Sequence, residues 1–450
     1  MRLLNEFMVW SDTIFKSYDI RGVYPIEINE SALTAIGWAL ANFVKGGRVV
    51  VGRDMRISSP QLHQALIDGL VKGGAQVDDL EMVPIDAVYF AVGSYGYEAG
   101  IMVTASHNPP EYNGCKVVGK GVSWLRGREI KDLLAKPLNT KSGGRFSSRD
   151  IWPDYLQHVL SFVHKSALRP LKVVVDAGNG MAGLVIPRLM AGLPFQVTPL
   201  FFELDGAFPN RPSNPLAPQA AQSVIAKVIK EQADLGIMFD GDTDRMFLID
   251  EKGEFVPADV TLLLLAKEFI RRQPGAGIAY NLICSKAVPE FITKWGGRPI
   301  RSAVGYVNVG TAMKQQQGSM GGELSAHYSF KDNFYADSGF IAALIVLELL
   351  SRENKKLSDL VKQYSPYAKS PETNLTATNQ AEVLQKVKQA HQAGQIDELD
   401  GVTVSYADWW FNVRPSNTEP LLRVTVEANT AELLALKKAE LLKQIKGWVK

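Results

Sequence analysis

Residues 48–60 read RVVVGRDMRISSP and contain a complete change from strand to helix. The apolar run at residues 48–51 predicts a buried strand. Ser59 and Pro60 predict the start of a helix, with Ser59 as the N-cap and Pro60 at the first helical position. The helix then carries an apolar face at helical spacing, formed by Leu62, Leu66 and Leu70. This stretch therefore predicts one strand-helix unit of an α/β fold.

The same pattern, an apolar strand followed by polar or glycine residues, recurs further along the chain. Residues 171–176 (LKVVVD) are followed by Gly178, Asn179 and Gly180, and residues 277–282 repeat the pattern more weakly. The end of the chain has a different pattern: residues 421–427 predict a strand, and residues 430–446 predict one long helix. We expect an α/β protein with three similar mixed α/β domains and a smaller C-terminal α+β domain. Linker-like stretches at 137–150, 250–258 and 365–374 place the domains at residues 1–150, 151–252, 253–366 and 367–450.

Composition is that of an ordinary globular protein, with 46% hydrophobic and 21% charged residues. The formal net charge of +2 gives no field that favours nucleic acid or an anionic membrane. Two cysteines, Cys115 and Cys284, are too few for a disulfide framework. No signal peptide is recognisable, and the longest apolar run, residues 340–347, is far shorter than the roughly 18 residues of a membrane helix. We expect a soluble, cytoplasmic protein.

A first polar loop, residues 104–110 (TASHNPP), follows the apolar run at residues 100–103 and continues to Lys116. Ligands of open α/β sheets bind at such strand ends. Ser106, among Asn, Gly and Lys residues, is a candidate to carry a phosphate. A polar turn stiffened by prolines is the alternative. A Ser-His hydrolase is disfavoured because the G-x-S-x-G pattern is missing.

A second loop, residues 240–245 (DGDTDR), places Asp240, Asp242 and Asp244 at alternating positions after a predicted strand. Three adjacent carboxylates repel one another unless a cation lies between them, and their hard oxygens suit Mg²⁺. An EF-hand is disfavoured, because Arg245 occupies its glycine position and strands flank the loop. The Asp-x-Asp-x-Thr loop of aspartyl-phosphate phosphatases does not match either, and a solvated acidic turn stays open.

Two further loops give weaker functional signals when each is taken alone. Residues 321–327 (GGELSAH) contain acceptor and donor side chains suited to sugar hydroxyls. Residues 414–420 (RPSNTEP) contain a guanidinium, hydroxyls and an amide, which suit a phosphate group. An ordinary polar turn is the alternative for both.

Together the four loops resemble those of the α-D-phosphohexomutase superfamily, in its phosphomannomutase/phosphoglucomutase branch. Residues 15–22 (FKSYDIRG), 52–59 (GRDMRISS) and 205–215 (DGAFPNRPSNP) match it as well. The resemblance runs in order from about residue 15 to residue 427. It implies four domains around a central cleft, which carry in turn the phosphoserine, metal-binding, sugar-binding and phosphate-binding loops.

The resemblance also implies roles for individual residues. Ser106 would be the phosphorylated serine, and a ligand of one Mg²⁺ per subunit together with Asp240, Asp242 and Asp244. The further catalytic residues would be Arg21, His107, Lys116 and Arg245, with Lys116 in proton transfer. The sugar would be bound by Tyr18, Tyr306, Glu323, Ser325 and His327. The phosphate that is not reacting would be bound by Arg414, Ser416, Asn417 and Thr418.

The implied activity is the interconversion of hexose 6-phosphate and hexose 1-phosphate, of mannose, glucose or both. It would proceed through a hexose 1,6-bisphosphate, which would also be the activator. The implied partners are small sugar phosphates, with no nucleic acid or membrane, and the protein would be a monomer or homodimer. Two positions depart from the family pattern: Tyr306 replaces a frequent His, and Ile283 falls near a frequent Lys. A phosphoglucosamine mutase and a non-catalytic sugar-phosphate-binding protein stay open as alternatives.

Overall fold

The computed structural model describes residues 10–416 and 420–449. Its first part contains β1 (Ile20–Val23), α1 (Glu30–Phe43), β2 (Arg48–Arg53), α2 (Ser59–Lys72), β3 (Gln76–Met82), α3 (Ile85–Tyr95), β4 (Ala99–Val103), β5 (Tyr112–Gly119), β6 (Ser123–Leu125), α4 (Gly127–Leu134) and β7 (Arg145–Ser148). The strands form one sheet in the order β1-β5-β4-β2-β3-β7, with β6 paired to β5. Strand β2 is parallel to both β3 and β4, whereas β5 is antiparallel to β4.

The strand and helix predicted from residues 48–60 are both present. Val49, Val50 and Val51 are fully buried in the central strand β2, and the apolar face of α2 is buried with them. Helix α2 begins one residue earlier than predicted, with Ser58 as its N-cap. The reason is that the Ser59 hydroxyl donates a hydrogen bond of 2.5 Å to Asp54 Oδ1 instead of capping the helix.

The stretch predicted to be a linker at residues 137–150 also contributes a strand. Residues Arg145–Ser148 pair in parallel with β3 at the edge of the first sheet. All four residues are exposed, so no apolar alternation identified the strand.

The second part contains α5 (Trp152–Leu160), β8 (Lys172–Asp176), α6 (Ala182–Leu189), β9 (Gln196–Leu200), α7 (Gln222–Glu231), β10 (Leu235–Phe239) and β11 (Met246–Asp250). Its sheet has the order β11-β10-β8-β9. Every residue of β10 and β11 is buried, which is why both strands read as continuous apolar runs.

The third part contains α8 (Ala258–Arg272), β12 (Gly277–Asn281), α9 (Ala287–Lys294), β13 (Arg298–Ser302), α10 (Tyr306–Gln316), β14 (Met320–Gly322), β15 (Tyr328–Phe330), β16 (Ala336–Asp337) and α11 (Gly339–Glu353). Strand β12 lies between β13 and β14 and is parallel to both. Strands β15 and β16 form an antiparallel pair.

The last part contains α12 (Leu357–Tyr364), β17 (Ala368–Lys369), β18 (Thr373–Thr376), α13 (Gln380–Ala390), β19 (Gln395–Asp397), β20 (Val402–Ser405), β21 (Trp409–Pro415), β22 (Leu421–Ala428) and α14 (Ala431–Lys446). Its sheet has the order β17-β22-β21-β20-β19, with β18 paired to β22, and all its pairs are antiparallel. The predicted class, mixed α/β with an α+β part at the C-terminal end, is confirmed.

The chain divides into two compact units. One consists of the residues up to Val256 together with Ala326–Ser358, and the other of Pro257–Ser325 and the residues from Asp359 onward. The predicted boundaries after residues 150, 252 and 366 stay predictions. No helix within the described ranges has the length and apolar character needed to span a membrane.

Candidate active site

Ser106 lies in the loop that joins β4 to β5, at the end of a fully buried strand. Its backbone has a φ of +51°, in the left-handed region that residues other than glycine rarely adopt. Its N–H donates to Thr104 Oγ1 at 2.9 Å, inside the loop. Its hydroxyl donates to Asp240 Oδ2 at 3.0 Å and lies 3.3 Å from His107 Nδ1. The structure thus brings the candidate serine to the second candidate loop, from which it is separated by 134 residues in the chain.

The three aspartates follow β10 directly and precede β11. All three are buried, and each offers a carboxylate oxygen within 4.8 Å of the others. Lys116, on β5, donates from Nζ to Asp242 Oδ2 at 2.9 Å and to Asp244 Oδ2 at 2.5 Å. The flanking elements are strands, so the EF-hand alternative, which requires helices, is excluded.

The charges of this cluster are not fully balanced by protein groups. Burial, and then the charges of Asp244 and Asp242, raise the pKa of Asp240 to about 7. Burial also disfavours the charged form of Asp244, but the positive charges of Lys116 and Arg245 oppose it, and the pKa of Asp244 is well below its usual value. One carboxylate of the cluster therefore gains from a further cation.

The residues present fit a divalent cation. Asp242 Oδ1 is buried and has no hydrogen-bond partner in the described structure. The donor set consists of hard oxygens from three carboxylates and the adjacent Ser106 hydroxyl, which is the set that Mg²⁺ prefers. Asp240, Asp242 and Asp244 are the residues that can hold the ion.

Arg245 and His327 complete the surroundings of the aspartates. Arg245 Nε lies 3.8 Å from Asp240 Oδ2 and donates to His327 Nε2 at 3.2 Å. His327 Nε2 is in turn 3.4 Å from Asp244 Oδ1. His327, which was predicted to bind the sugar, thus lies against the metal-binding loop.

Arg21 and His107 lie on the serine side of this cluster. Arg21, on β1, donates from Nη1 to Asn108 Oδ1 at 2.7 Å and forms an ion pair of 2.6 Å with Asp19. Burial, and then the positive charges of Arg245, Arg21 and Lys116, lower the pKa of His107 well below its usual value. Burial and these neighbouring charges therefore favour the neutral form of the His107 imidazole. Tyr18 precedes β1 and is half-buried.

The candidate sugar loop belongs to the second unit as far as Ser325. Glu323 Oε2 accepts hydrogen bonds from Gly305 N at 3.0 Å and from Asn281 Nδ2 at 3.4 Å. Ser325 Oγ donates to Glu323 Oε1. Tyr306 follows Gly305 as the first residue of α10 and is buried. Gly305 therefore connects Glu323 to the start of α10 at Tyr306.

The candidate phosphate loop begins at the end of β21. Arg414 is directly opposite Arg423 of β22, and both guanidinium groups pair with Glu372, at 2.9 Å and 3.3 Å. Arg423 Nη2 also donates to Ser416 Oγ at 3.4 Å. Arg423 was missed by the sequence analysis, although an arginine inside the apolar strand at residues 421–427 was a usable signal. Asn417 and Thr418 lie outside the described residues.

Arg211 is a second residue that the sequence analysis quoted without a role. It is buried, and its Nε is 3.0 Å from each carboxylate oxygen of Asp176. Its Nη2 donates to the carbonyl of Phe239 at 2.7 Å, immediately before Asp240. Arg211 therefore holds the backbone from which the metal-binding loop departs.

Comparisons with known proteins agree with this arrangement. A phosphomannomutase of Escherichia coli is 38% identical over 452 residues, covering 95% of this chain and 99% of that protein. Four models of the phosphoglucomutase/phosphomannomutase family, for alpha/beta/alpha domains I, II and III and the C-terminal domain, match residues 12–137, 153–253, 257–367 and 371–444. The chain belongs to the phosphoglucomutase/phosphomannomutase family.

Other members of the family are similar over the same length. A phosphomannomutase/phosphoglucomutase of Pseudomonas aeruginosa is 37% identical, covering 97% of this chain and 96% of that protein. The crystal structure of a family protein from Burkholderia thailandensis superimposes with a TM-score of 0.90 at 33% identity, covering 98% of this chain and 99% of that one. The chain is accordingly a hexose phosphate mutase, an intramolecular phosphotransferase, and the predicted family and reaction class are confirmed.

Proposed function

We propose that this enzyme interconverts hexose 1-phosphate and hexose 6-phosphate through a phosphoserine at Ser106 and a hexose 1,6-bisphosphate that also acts as activator. The observation that best supports this proposal is the position of Ser106 Oγ, which lies 3.0 Å from Asp240 Oδ2. Arg21 contacts the serine loop through Asn108, and Lys116 contacts the aspartate loop through Asp242 and Asp244. A serine with this combination of acceptor, cations and strand-end location suits phosphoryl transfer rather than acyl transfer.

In the first half-reaction a sugar hydroxyl oxygen forms a bond to the phosphorus as the bond from phosphorus to Ser106 Oγ breaks. The sugar hydroxyl loses its proton, and Oγ takes one up. We assign the proton transfer to Lys116, which its two aspartate partners hold in place. His107, a neutral imidazole beside Oγ, provides a hydrogen-bond partner as the charge on Oγ changes.

Phosphate monoesters are inert, so charge on the transferring group must be offset. A phosphoserine carries about −1.5 to −2 charges near neutral pH. Arg21, Lys116 and Arg245 supply positive charge around Ser106. One Mg²⁺ per subunit, held by Asp240, Asp242 and Asp244 with Ser106 as a further ligand, supplies the remaining charge stabilisation when bound.

The bisphosphate then reverses its orientation, and its other phosphate returns to Ser106. Arg414, Ser416, Asn417 and Thr418 bind the phosphate that is not reacting, in both orientations. Glu323 and Ser325 bind the sugar hydroxyls, with His327 beside them and Tyr18 and Tyr306 as further contacts.

The cysteines Cys115 and Cys284 are buried free thiols, which suits the reducing cytoplasm that we propose as the location.

The test is the variant Ser106→Ala, with the exposed serine variant Ser123→Ala as a matched control. Ser106→Ala is expected to remain folded and to lose nearly all mutase activity, because no hydroxyl remains to carry the phosphoryl group. Intact-mass measurement should show wild type one phosphate heavier after incubation with glucose 1,6-bisphosphate, with the phosphate mapped to Ser106. Phosphate found only on another residue would disprove the assignment.

The same assay separates the alternatives. A panel of hexose 1-phosphates, with Mg²⁺ and the bisphosphate present, should give turnover of mannose and glucose phosphates. Turnover of glucosamine phosphate in their place would identify a phosphoglucosamine mutase. Binding of sugar phosphates without any turnover would identify a non-catalytic protein.

A further inference from the structure

Arg56 is a buried arginine, 1% exposed, between β2 and α2. Its guanidinium donates to four backbone carbonyls. Nη2 binds the carbonyls of Ser106 and Asn108 at 2.8 Å and 2.6 Å, and Nη1 binds those of Pro109 and Tyr112 at 2.7 Å and 3.0 Å. Three of these carbonyls belong to the loop that carries the candidate phosphoserine, and the fourth is that of Tyr112, where the loop enters β5.

This loop requires such a partner because of its own backbone. Ser106 has a left-handed φ and lies between β4 and β5, so strand pairing provides no donor for its carbonyl. A buried carbonyl without a partner costs free energy comparable to a lost hydrogen bond. A guanidinium has five N–H donors in a rigid plane, whereas a lysine offers three donors from one atom. Arginine is therefore the side chain that can serve four converging carbonyls.

The guanidinium is itself held in place. Its Nε lies 3.4 Å from Oδ2 of the fully buried Asp54. Asp54 Oδ1 accepts from the Arg56 N–H at 3.0 Å and from Ser59 Oγ at 2.5 Å. The ring of Phe208 lies 5.1 Å from the guanidinium carbon. Through Arg56, the loop is therefore connected to Asp54, which follows β2, and to Ser59, which begins α2.

We propose that Arg56 is a positioning residue for phosphoryl transfer. By holding the carbonyls of Ser106 and Asn108, it keeps Ser106 Oγ beside Asp240 and keeps the Asn108 side chain in contact with Arg21. Arg56 touches no reacting atom. The proposal rests on the proposed role of Ser106 as the phosphoryl carrier.

The experiment compares Arg56→Ala and Arg56→Lys with wild type, after the fold of each is checked by circular dichroism. Dephosphorylated enzyme is mixed with glucose 1,6-bisphosphate, and phosphate on Ser106 is followed by intact mass. Both variants should phosphorylate Ser106 about a hundredfold more slowly at saturating bisphosphate, because a misplaced reacting group costs about that factor. The bisphosphate concentration for half-maximal rate should change far less than the rate.

Free guanidinium provides the second readout. Added below its denaturing concentration, it should occupy the space left in Arg56→Ala and raise the rate by about tenfold or more, a response that general destabilisation does not give. It should not rescue Arg56→Lys, where the ammonium occupies the space. The control is Arg48→Ala, an exposed arginine at the start of the same strand, which should keep the wild-type rate.

Three results would overturn the proposal. One is a wild-type rate in a folded Arg56→Ala or Arg56→Lys variant. The second is a folded Arg56→Ala variant that guanidinium does not rescue. The third is a loss confined to bisphosphate affinity. If Arg56→Ala does not fold, the charge-retaining Arg56→Lys variant carries the test. Failure of the Ser106 assignment is distinguishable, because wild type itself would then take no phosphate on Ser106.

Discussion

At the scale of single residues, each of the two loops that meet at the candidate active site contains a residue with a left-handed backbone. Ser106 has a φ of +51° and Thr243 a φ of +71°, although neither is a glycine. Each such conformation costs on the order of 1–3 kcal/mol and persists only where the surroundings determine it. Thr104 and Arg56 hold Ser106, and the Asp240 carboxylate accepts from the Thr243 N–H at 3.1 Å. Each strained conformation is thus stabilised by residues other than its immediate neighbours in the chain.

The first prediction concerns Asp242, whose Oδ1 has no hydrogen-bond partner within the part of the chain that the structure describes. Asp242→Asn removes one negative charge and one hard oxygen ligand while it preserves shape. We expect the affinity for Mg²⁺ to fall by about tenfold or more, at least as much as loss of an outer-shell partner costs.

Calorimetric titration with Mg²⁺, and the dependence of Tm on Mg²⁺ concentration, measure this directly. The matched control is Asp68→Asn, an exposed aspartate that accepts a hydrogen bond from Gln64. Equal Mg²⁺ affinity in Asp242→Asn and wild type would contradict the assignment of this residue as a ligand.

At the scale of secondary-structure elements, two helices begin against the metal-binding loop. The first N–H of α3, from Ile85, donates to the carbonyl of Asp242 at 3.3 Å. The first N–H of α11, from Gly339, donates to the carbonyl of Thr243 at 3.1 Å. Asp86 joins these helices to α5, because its carboxylate accepts from Ser338 Oγ at 2.5 Å and from Tyr155 at 2.9 Å. The loop therefore rests on helix ends as well as on strand β10.

The second prediction concerns the pH dependence that Asp86 introduces. Burial, and to a smaller extent the charge of Asp244, raise its pKa from 3.8 to about 7 in the folded protein. Folding then favours the protonated form. The contribution to stability is fully present below the unfolded pKa and is lost as pH rises through about 7.

Asp86→Asn resembles the protonated carboxyl group and does not ionise, so it should gain stability relative to wild type as pH rises from 4 to 8. The gain should amount to a few kcal/mol, at about 1.4 kcal/mol for each unit of pKa. Tm measured across this range gives the difference between the two proteins. A constant difference between Asp86→Asn and wild type would refute the expectation.

At the scale of the whole molecule, the candidate residues are divided between the two units. The first unit contains Ser106, the three aspartates and their cations. The second contains Glu323, Tyr306 and Arg414, with an internal network that positions Glu323 through Gly305 and Asn281. Glu323, Ser325 and Tyr306 are therefore separate from the phosphoryl-transfer residues, whereas Tyr18 and His327 lie in the same unit as Ser106.

The third prediction is that the enzyme accepts both mannose and glucose phosphates. Glu323 and Ser325 are proposed to contact O3 and O4, which the two sugars present identically, so this contact does not distinguish the C2 epimers. A site without a dedicated polar partner discriminates weakly. The ratio of kcat/KM for mannose 1-phosphate and glucose 1-phosphate should be on the order of tenfold or less, about 1.4 kcal/mol.

Tyr306 is the residue expected to modify this ratio, because it adjoins the Gly305 N–H that holds Glu323. Measuring both sugars in wild type and in Tyr306→His shows its effect. Tyr280→Phe, on the neighbouring strand β12, is a control aromatic substitution and should leave the ratio unchanged. A wild-type preference above about a thousandfold for either sugar would show that the sugar loop has been misinterpreted.

The sequence alone determined the class of fold and the identity of the four loops. Strands such as β10 and helices such as α2 were predictable because a buried strand is continuously apolar and a helix face repeats at 3.6 residues. The loops were recognisable because their functional residues are contiguous, as in residues 104–110 and 240–245. The predicted N-cap of α2, Ser59, was wrong by one residue, since Ser58 is the N-cap. The edge strand β7 was missed. Neither feature depends on local pattern alone.

Only the tertiary structure decided which distant residues meet. Lys116 reaches Asp242 across 126 residues, and Arg56 reaches the carbonyl of Ser106 across 50. Arg423 joins Arg414 through the pairing of two strands. Local sequence does not identify the partners in these contacts, because strand order, register and the burial of charged groups result from packing of the whole chain. Local residue types determine each element, whereas long-range packing determines the partners of buried charges such as Lys116.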